Sequence, residues 1–299
     1  MKTIILHHFP FHYEMIPSIL TQFQDYKIDL YFTQKTDDLK NWNNIYSQTN
    51  IPYNIIDQIK HKNYELVILD TDDDQIMCQV YNDYFKGIPV YIINHSKDGN
   101  RSKIDEIFKR TIDIHGINKK LNPFHFCGFR YINIEEKLKK LSNKISVAII
   151  GDIINEETDF LDNLIKRFKN FNDIDFYIIN RNYPYWYTKK YLNIKYFINC
   201  NTQIMFKILE RCHYIYFFAF SRGINTCSAC FGLSYSTLCR MVCCERIREQ
   251  YNIKTPIFKN MTESFDLIPL NKENLIDINI ERESLINQTG TYIKNLLKS

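Results

Sequence analysis

Short apolar runs alternate with amphipathic segments along most of the chain. The runs that predict buried strands are residues 2–6, 28–32, 64–69, 88–94, 146–152, 173–180, 195–199 and the run that begins at Tyr214. The segments with helical periodicity are residues 14–26, 75–86, 101–110, 158–168 and 202–212. Strands that alternate with helices at these spacings indicate βαβ units and a parallel sheet.

The alternation is interrupted once. It weakens between residues 118 and 134, where a connector is predicted, and resumes at residue 145 after a short helix. We therefore predict an α/β protein with two Rossmann-like domains facing across a cleft, followed by an amphipathic helical segment. The predicted parts are residues 1–142, 143–270 and 271–299. A ligand is expected in the cleft, at the carboxyl ends of both sheets.

The net charge and the cysteine content of the chain indicate which partners and which cellular compartment to expect. The chain of 299 residues has a formal net charge of +4 and no long block of Lys or Arg, so nucleic acid is not expected as a partner. A mild positive bias suits an anionic small molecule such as a nucleotide. Nine cysteines, without a secretory signal or an apolar run of about 18 residues, predict a cytoplasmic protein with reduced thiols and no transmembrane segment.

The loop that follows the strand at Tyr214 carries groups suited to a phosphate. Backbone N–H groups, small hydroxyls and a cation together favour a diphosphate where a strand leads into a helix. The candidate residues are Ser221, Arg222, Gly223, Asn225, Thr226 and Ser228. The alternative is an ordinary βα loop in which Thr226 or Ser228 caps the next helix. Neither GxxxxGK[ST] nor GxGxxG occurs in the chain.

His12 is the candidate general base. It follows the first strand and precedes a helix, so a neutral imidazole there could take a proton from an acceptor hydroxyl. A surface loop is the alternative, and His7 and His8 are weaker candidates for the same role.

Other polar residues follow predicted strands and would lie on the same rim. Asn94 and His95 end the strand at 88–94 and are expected on the acceptor side, with a structural turn as the alternative. Gly151, Asp152 and Arg181 occupy comparable positions in the second half. The aromatic group between residues 183 and 187 could stack on a base or a sugar ring.

Two further patterns raise the question of a metal. Asp70 and Asp72 follow an apolar strand and could hold Mg²⁺ or Mn²⁺ against a diphosphate, although an exposed acidic loop is favoured. The cysteines between 227 and 244 could form a zinc site, but the segment is predicted to be a long apolar helix, in which Cys239 and Cys243 share a face. We favour buried thiols that pack this helix on the sheet.

The organisation resembles that of the GT-B glycosyltransferases. The resemblance rests on three passages. Phe11–Pro17 looks like the loop after the first strand, where inverting members place a His before a helix with a nearby Pro. Asn193–Ser221 looks like the run that leads to the last nucleotide-binding strand, and Ser221–Phe258 looks like the loop, helix and strand that cradle the diphosphate. It implies that the second domain binds a nucleotide sugar through the residues from 221 to 228, together with Gly151, Asp152 and Arg181. It also implies that His12 is the base if the anomeric configuration is inverted. It further implies that the helical segment 271–299 packs back towards the first domain. The E-x7-E of many retaining members is absent from Ser221–Phe258.

The expected function is transfer of a sugar from a nucleotide-diphosphate sugar to a hydroxyl of a glycan or another acceptor, with no metal and no further cofactor. The alternatives are a GT-A-like metal-dependent transferase that uses Asp70 and Asp72, a non-catalytic GT-B-like binding subunit, and a nucleotide-sugar epimerase. Heavy use of Ile, Asn, Lys and Tyr indicates an AT-rich genome, such as that of a large DNA virus or a low-GC bacterium. A viral protein would act in the host cytoplasm.

Overall fold

A computed structural model of the chain provides the fold. It describes residues 2–7, 13, 16–23, 25–49, 51–59, 63–69, 75–94, 111–113, 130–150, 168–180, 192–216, 229–243, 248–249, 253–254, 256–258 and 266–298. These residues group into two compact units. Unit 1 holds the described residues from 2 to 113 and those from 285 to 298, and unit 2 holds those from 130 to 216 and from 229 to 284.

Unit 1 is built on a parallel sheet. Its strands are β1 (Lys2–His7), β2 (Lys27–Phe32), β3 (Tyr53–Ile56), β4 (Leu66–Leu69), β5 (Val90–Asn94) and β6 (Thr111–Asp113). Among the described residues they form a six-stranded sheet in the order β3-β2-β1-β4-β5-β6, and every neighbouring pair is parallel. The central strand β4 is apolar and buried at all its positions, because a parallel sheet is covered on both faces.

Helices cover this sheet. They are α1 (Ile16–Gln22), α2 (Asp38–Tyr46) and α3 (Gln75–Tyr84), and a short 3-10 helix follows α2 at Ser47–Thr49. The buried side of α2 consists of Leu39, Trp42, Ile45 and Tyr46, at the spacing of one helix face. Behind α3, Phe85 joins Leu6 and Val67 in the core of the unit.

Unit 2 repeats the arrangement. Its strands are β7 (Ile145–Ile150), β8 (Ile174–Asn180), β9 (Ile194–Ile198), β10 (Tyr214–Tyr216), β11 (Arg240–Cys243) and β12 (Ile257–Phe258). The described strands form a second six-stranded parallel sheet in the order β12-β11-β10-β7-β8-β9. Its helices are α4 (Ile134–Lys140), α5 (Thr202–Leu209), α6 (Ala229–Ser236) and the first part of α7 (Lys272–Lys298), with a 3-10 helix at Phe171–Asp173.

Asparagine marks the start of two of these helices. Asn133 accepts a hydrogen bond from the backbone N–H of Glu136, whose side chain returns the bond in a capping box at α4. Asn201 accepts from the backbone N–H of Ile204 at the start of α5. Each bond satisfies an N–H group that the first turn of a helix leaves without an intrahelical partner.

Helix α7 has residues in both units. In unit 2 the buried Arg282 donates to the carbonyl oxygen of Ile132 at 3.0 Å, and Glu283 pairs with Arg130. In unit 1, Gly290 lies so close to α1 that a Cβ atom added to it would stand 3.0 Å from Oε1 of Gln22. Across the described parts of the chain, α7 and the other helices lack the long apolar stretch that crossing a membrane requires.

The largest correction to the sequence prediction concerns the cysteine-rich segment. Instead of one long helix, α6 ends at Ser236 and the chain enters β11 at Arg240. Cys239 therefore precedes a strand and Cys243 ends it, and the two do not share a helix face. The short strands β3 and β6 were also not predicted.

Candidate functional site

Both sheets reverse their strand order at an equivalent place. In unit 1 the chain moves outward from β1 through β2 to β3, and then returns to β4 on the other side of β1. Unit 2 does the same with β7 and β10. At such a point the loops that leave the two central strands diverge to opposite faces and open a crevice at the carboxyl edge, where open α/β sheets bind ligands.

The carboxyl edge of unit 2 is formed by the last residues of its central strands. Ile149 of β7 pairs with Tyr216, the last residue of β10, and Ile150 pairs with Ile179 of β8. The predicted nucleotide-side residues follow these strand ends in the sequence. Gly151 and Asp152 come directly after β7, Arg181 comes directly after β8, and Ser221, Arg222, Gly223, Asn225, Thr226 and Ser228 come after β10. All of them lie outside the described residues, so their roles stay predictions.

A buried amide also lies on this edge, which the sequence analysis did not single out. Asn180 ends β8 with 5% of its surface exposed, and its backbone carbonyl oxygen accepts from the backbone N–H of Asn199 at 2.8 Å. Asn199 has a φ of 48°, in the left-handed region that asparagine tolerates. The sequence signal was an amide at the end of β8, directly after the apolar residues Ile178 and Ile179.

In unit 1 the predicted residues follow strand ends as well. His7 ends β1, and Leu6 pairs with Leu69 at the end of β4. His12 comes five residues after the end of β1. Asp70 directly follows β4 in the sequence, and Asp72 comes two residues later. Asn94 is the last residue of β5, paired with Asp113 of β6, and His95 follows it.

The residues His8, His12, Asp70, Asp72 and His95 lie outside the described part of the chain. Of the acceptor-side pair, the structure therefore fixes only the backbone position of Asn94 at the carboxyl end of β5.

Next to His12, the chain is anchored at Tyr13. The side chain of Tyr13 is 1% exposed, and its ring meets that of Phe32 edge-on with centroids 5.8 Å apart. Its hydroxyl accepts from Oγ1 of Thr36 at 3.2 Å, and its backbone carbonyl accepts from the hydroxyl of Tyr46 at 2.8 Å. Tyr13 is thus held to Phe32 of β2, to Thr36 and to Tyr46 of α2.

The amino edge of the unit 1 sheet carries a charged cluster. Asp29 accepts from the hydroxyl of Tyr64 at 2.7 Å and from the side-chain amide of Asn54 at 3.1 Å, and it pairs with Nζ of Lys2 at 3.2 Å. Burial opposes ionisation of Asp29, but these hydrogen bonds and the Lys2 charge outweigh it and lower its pKa. The cluster lies at the opposite edge from the predicted site and joins β1, β2 and β3 to Tyr64, two residues before β4.

Unit 2 has a buried ammonium at its amino edge. Nζ of Lys137, on α4, donates to the carbonyl oxygens of Leu209 at 2.9 Å and Cys212 at 2.6 Å, and lies 3.3 Å from Sγ of Cys239. Leu209 is the last residue of α5, so the cation also faces the negative end of a helix dipole. The thiol of Cys239 is within 3.2 Å of both carbonyl oxygens.

These contacts give Cys239 a packing role. Among the described residues, no group of three or more His, Cys, Asp or Glu side chains could hold a metal ion. Cys227 and Cys244 lie outside the described residues, whereas Cys212, Cys239 and Cys243 are buried thiols that are not in disulfides. Burial, together with the neighbouring Cys239, raises the pKa of Cys212.

A buried histidine adjoins the ammonium. His213 is 1% exposed, and its Nδ1 lies 3.2 Å from the backbone N–H of Ser146, from which it accepts. Burial, and secondly the charge of Lys137, lower the pKa of His213 to about 4. The imidazole is therefore neutral at physiological pH and joins the starts of β7 and β10.

Comparison with known proteins identifies the fold. No protein-family profile and no curated protein matches the chain by sequence. Among solved structures, Anabaena Alr3699/HepE in complex with UDP and glucose superposes with a TM-score of 0.52 at 10% identity, over 100% of both chains. The ADP-heptose LPS heptosyltransferase II of E. coli gives 0.51 at 10%, over 98% of this chain and 100% of that one. The glycotransferase of kitacinnamycin gives 0.52 at 9%, over 99% of both.

The chain is an α/β protein with two Rossmann-like parallel sheets. Its fold is that of the GT-B glycosyltransferases, as the sequence analysis predicted. At 9–10% sequence identity, these comparisons show a shared fold.

Proposed function

We propose that the chain is a glycosyltransferase that moves a sugar from a nucleotide-diphosphate sugar to an acceptor hydroxyl without a metal ion. The observation that carries the proposal is the identical strand order of the two sheets, with the candidate residues at or after the carboxyl ends of β1, β5, β7, β8 and β10 in the sequence. Structures of this fold include one in complex with UDP and glucose and an ADP-heptose heptosyltransferase, which supports a nucleotide sugar as donor.

Unit 2 would hold the donor. The residues from Ser221 to Ser228 supply backbone N–H groups, hydroxyls and the guanidinium of Arg222 for the diphosphate, and Gly151, Asp152 and Arg181 follow the neighbouring strands. Charge builds up on the departing diphosphate as the bond to the sugar breaks. Fixed donors aimed at that charge lower the barrier more than they strengthen binding of the intact donor.

Unit 1 would hold the acceptor, with Asn94 and His95 beside it. In an inverting reaction, a ring nitrogen of His12 takes the proton of the acceptor hydroxyl as its oxygen attacks the anomeric carbon. The bond between that carbon and the diphosphate oxygen breaks, and the nucleoside diphosphate leaves with the bonding electrons. The products are the glycosylated acceptor, the nucleoside diphosphate and a proton held by His12.

The test is a screen of nucleotide sugars by thermal shift and by release of nucleoside diphosphate, in EDTA and in Mn²⁺. Binding and turnover in EDTA are expected.

Arg222→Ala should lower kcat by about 100-fold, by loss of one charge-stabilising donor. Arg211→Ala is the matched control, because Arg211 is exposed and precedes β10 at the amino edge. His12→Ala should lower kcat by roughly 100- to 10,000-fold.

Each alternative has its own outcome in this screen. Activity that EDTA and Asp72→Ala both abolish would replace the proposal with a metal-dependent transferase that uses Asp70 and Asp72. Interconversion of sugars without an acceptor would identify an epimerase. Absence of any nucleotide binding would leave a non-catalytic binding subunit.

A further inference from the structure

Two helices of unit 2 expose large apolar side chains. On α7, Ile276 is 38% exposed and Ile280 is 61% exposed, and on α5, Ile204 is 42% exposed. A single exposed isoleucine would need no explanation, because isolated apolar residues are common on protein surfaces. What sets these three apart is the set of charged residues beside them.

The outer face of α7 has a depression that can accept a side chain from another helix. Its four corners are Glu273, Ile276, Asp277 and Ile280, which are all exposed. They follow one another at positions i, i+3, i+4 and i+7, and this spacing places them on one face of the helix. Where helices pack closely, a side chain of one helix inserts between four residues of the other. Two corners are apolar and two are acidic, so the depression fits an apolar side chain with a positive charge beside it.

Helix α5 presents this combination of groups. Ile204 and Lys207 are both exposed, and a separation of three residues makes them neighbours on the outer face of the helix. Within the part of the chain that the structure describes, Lys207, Glu273 and Asp277 form no ion pair. The two helices therefore carry opposite charges beside exposed isoleucines, and a second molecule can bring these charges together.

Both helices contact the same short segment of unit 2. The ring of Tyr131 packs on that of Phe206 of α5 with centroids 4.7 Å apart, and the carbonyl oxygen of Ile132 accepts from Arg282 of α7 at 3.0 Å. Helices α5 and α7 are therefore close neighbours. In a two-fold dimer the same surface is used by both copies, so each element meets its counterpart's partner twice. Neighbouring helices with complementary outer faces satisfy this requirement.

We propose that the chain forms a two-fold dimer in which α5 of each copy packs on α7 of the other. Ile204 enters the depression on the partner's α7, and Lys207 beside it meets the carboxylates of Glu273 and Asp277. A second copy fits this face better than a membrane does, because an anionic lipid surface would repel the two carboxylates. The proposal is independent of the function proposed above, and its test requires no turnover.

Sedimentation velocity at increasing protein concentration tests the dimer. The sedimenting species should change from one chain of 36.0 kDa to two chains. Lys207→Glu should raise the dissociation constant at least about tenfold, because like charges that meet across an interface oppose binding. Lys40→Glu is the matched control: Lys40 is exposed on α2 of unit 1, and the variant changes the net charge equally. Its dissociation constant should stay within about twofold of that of the unmodified protein.

Reversing the charges on both helices separates a lost contact from a misfolded chain. Glu273→Lys combined with Asp277→Lys should weaken the dimer at least about tenfold, since three ammonium groups would then meet. Adding Lys207→Glu to these two changes restores opposite charges. The dissociation constant of the triple variant should return to within about threefold of that of the unmodified protein, because the three residues act as one unit.

The apolar part of the contact has its own pair of variants. Ile280→Gln should weaken the dimer about tenfold, whereas Tyr84→Gln, at an exposed aromatic residue of α3 in unit 1, should leave it unchanged. A chain that remains a monomer up to about 100 μM would overturn the proposal and leave the α7 depression to a different protein. A dimer that is insensitive to Lys207→Glu, or one that the triple variant does not restore, would place the interface elsewhere and also overturn it.

Discussion

Nζ of Lys137 lies 3.3 Å from Sγ of Cys239, and both side chains are withdrawn from solvent. The ammonium uses its three N–H groups on this thiol and on two backbone carbonyls, one of which ends α5. Helix α4, the end of α5 and the start of β11 therefore meet at one cation. Burial of a lysine is costly unless its hydrogen bonds are made, and here they are.

Replacing Lys137 should destabilise unit 2. Lys137→Met retains the length of the side chain but leaves the carbonyls of Leu209 and Cys212 without this donor, at a net cost of about 2 kcal/mol. The control is Lys140→Met on the same helix, which removes a half-exposed ion pair with Glu210 and should cost below about 1 kcal/mol. Urea unfolding measures both, and equal midpoints for the two variants would contradict the assignment.

The cysteines should differ in reactivity. Burial raises the pKa of Cys212, and Cys239 is packed against two carbonyls, whereas Cys200 is half-buried. Because the thiolate is the reactive form, iodoacetamide should label Cys200 at least about tenfold faster than Cys212 or Cys239 in the native protein. Peptide mass spectrometry after a labelling pulse measures the ratio. In urea the three should react alike, and similar native rates would mean that the buried thiols are accessible.

Lowering the pH should destabilise the folded chain as His213 becomes protonated. Its pKa is lowered from 6.5 to about 4 in the folded chain, so between these values the unfolded chain binds more protons. The neutral imidazole of His213 therefore stabilises the folded chain fully above pH 6.5, and this stabilisation is lost as the pH falls towards 4. It amounts to a loss on the order of 2–3 kcal/mol.

His213→Asn tests the pH dependence. The amide oxygen can accept from Ser146 in place of Nδ1 but does not titrate. The urea midpoint of the variant should then change less between pH 7 and pH 4 than that of the unmodified protein. The difference should correspond to the titration of roughly one group. An identical pH dependence in the two proteins would show that other groups carry it.

The contact between Gly290 and Gln22 should limit side-chain size on α7. Alanine gains about 1 kcal/mol of helix propensity and meets only the flexible end of Gln22, so Gly290→Ala should be neutral or stabilising. Gly290→Leu should cost about 1–3 kcal/mol, because the larger side chain must displace the side chain of Gln22 from its packed position. Asn287→Leu, at an exposed position of the same helix, is the control and should stay within about 0.5 kcal/mol. Thermal unfolding distinguishes the three, and a tolerated leucine at 290 would contradict this packing.

Apolar periodicity by itself determined much of the fold. The runs that became β1, β2, β4, β5, β7, β8, β9 and β10 were predicted because parallel strands buried on both faces leave continuous apolar stretches. The interruption before residue 145 indicated a second series of βαβ units. The candidate residues after these strands were also chosen from the sequence, and their roles stay predictions.

Other features were decided only by the tertiary structure. The strands β3, β6 and β11 are short, and a short apolar run does not distinguish strand from helix until a neighbouring strand supplies hydrogen bonds. The order of each sheet depends on where crossovers return. Lys137 occurs in the polar helix Ile134–Lys140, where nothing local marks it as buried, and the carbonyls and thiol that satisfy it come from residues 72 to 102 positions away. Such a site exists only once the chain has folded, because its partners are neighbours in space and not in sequence.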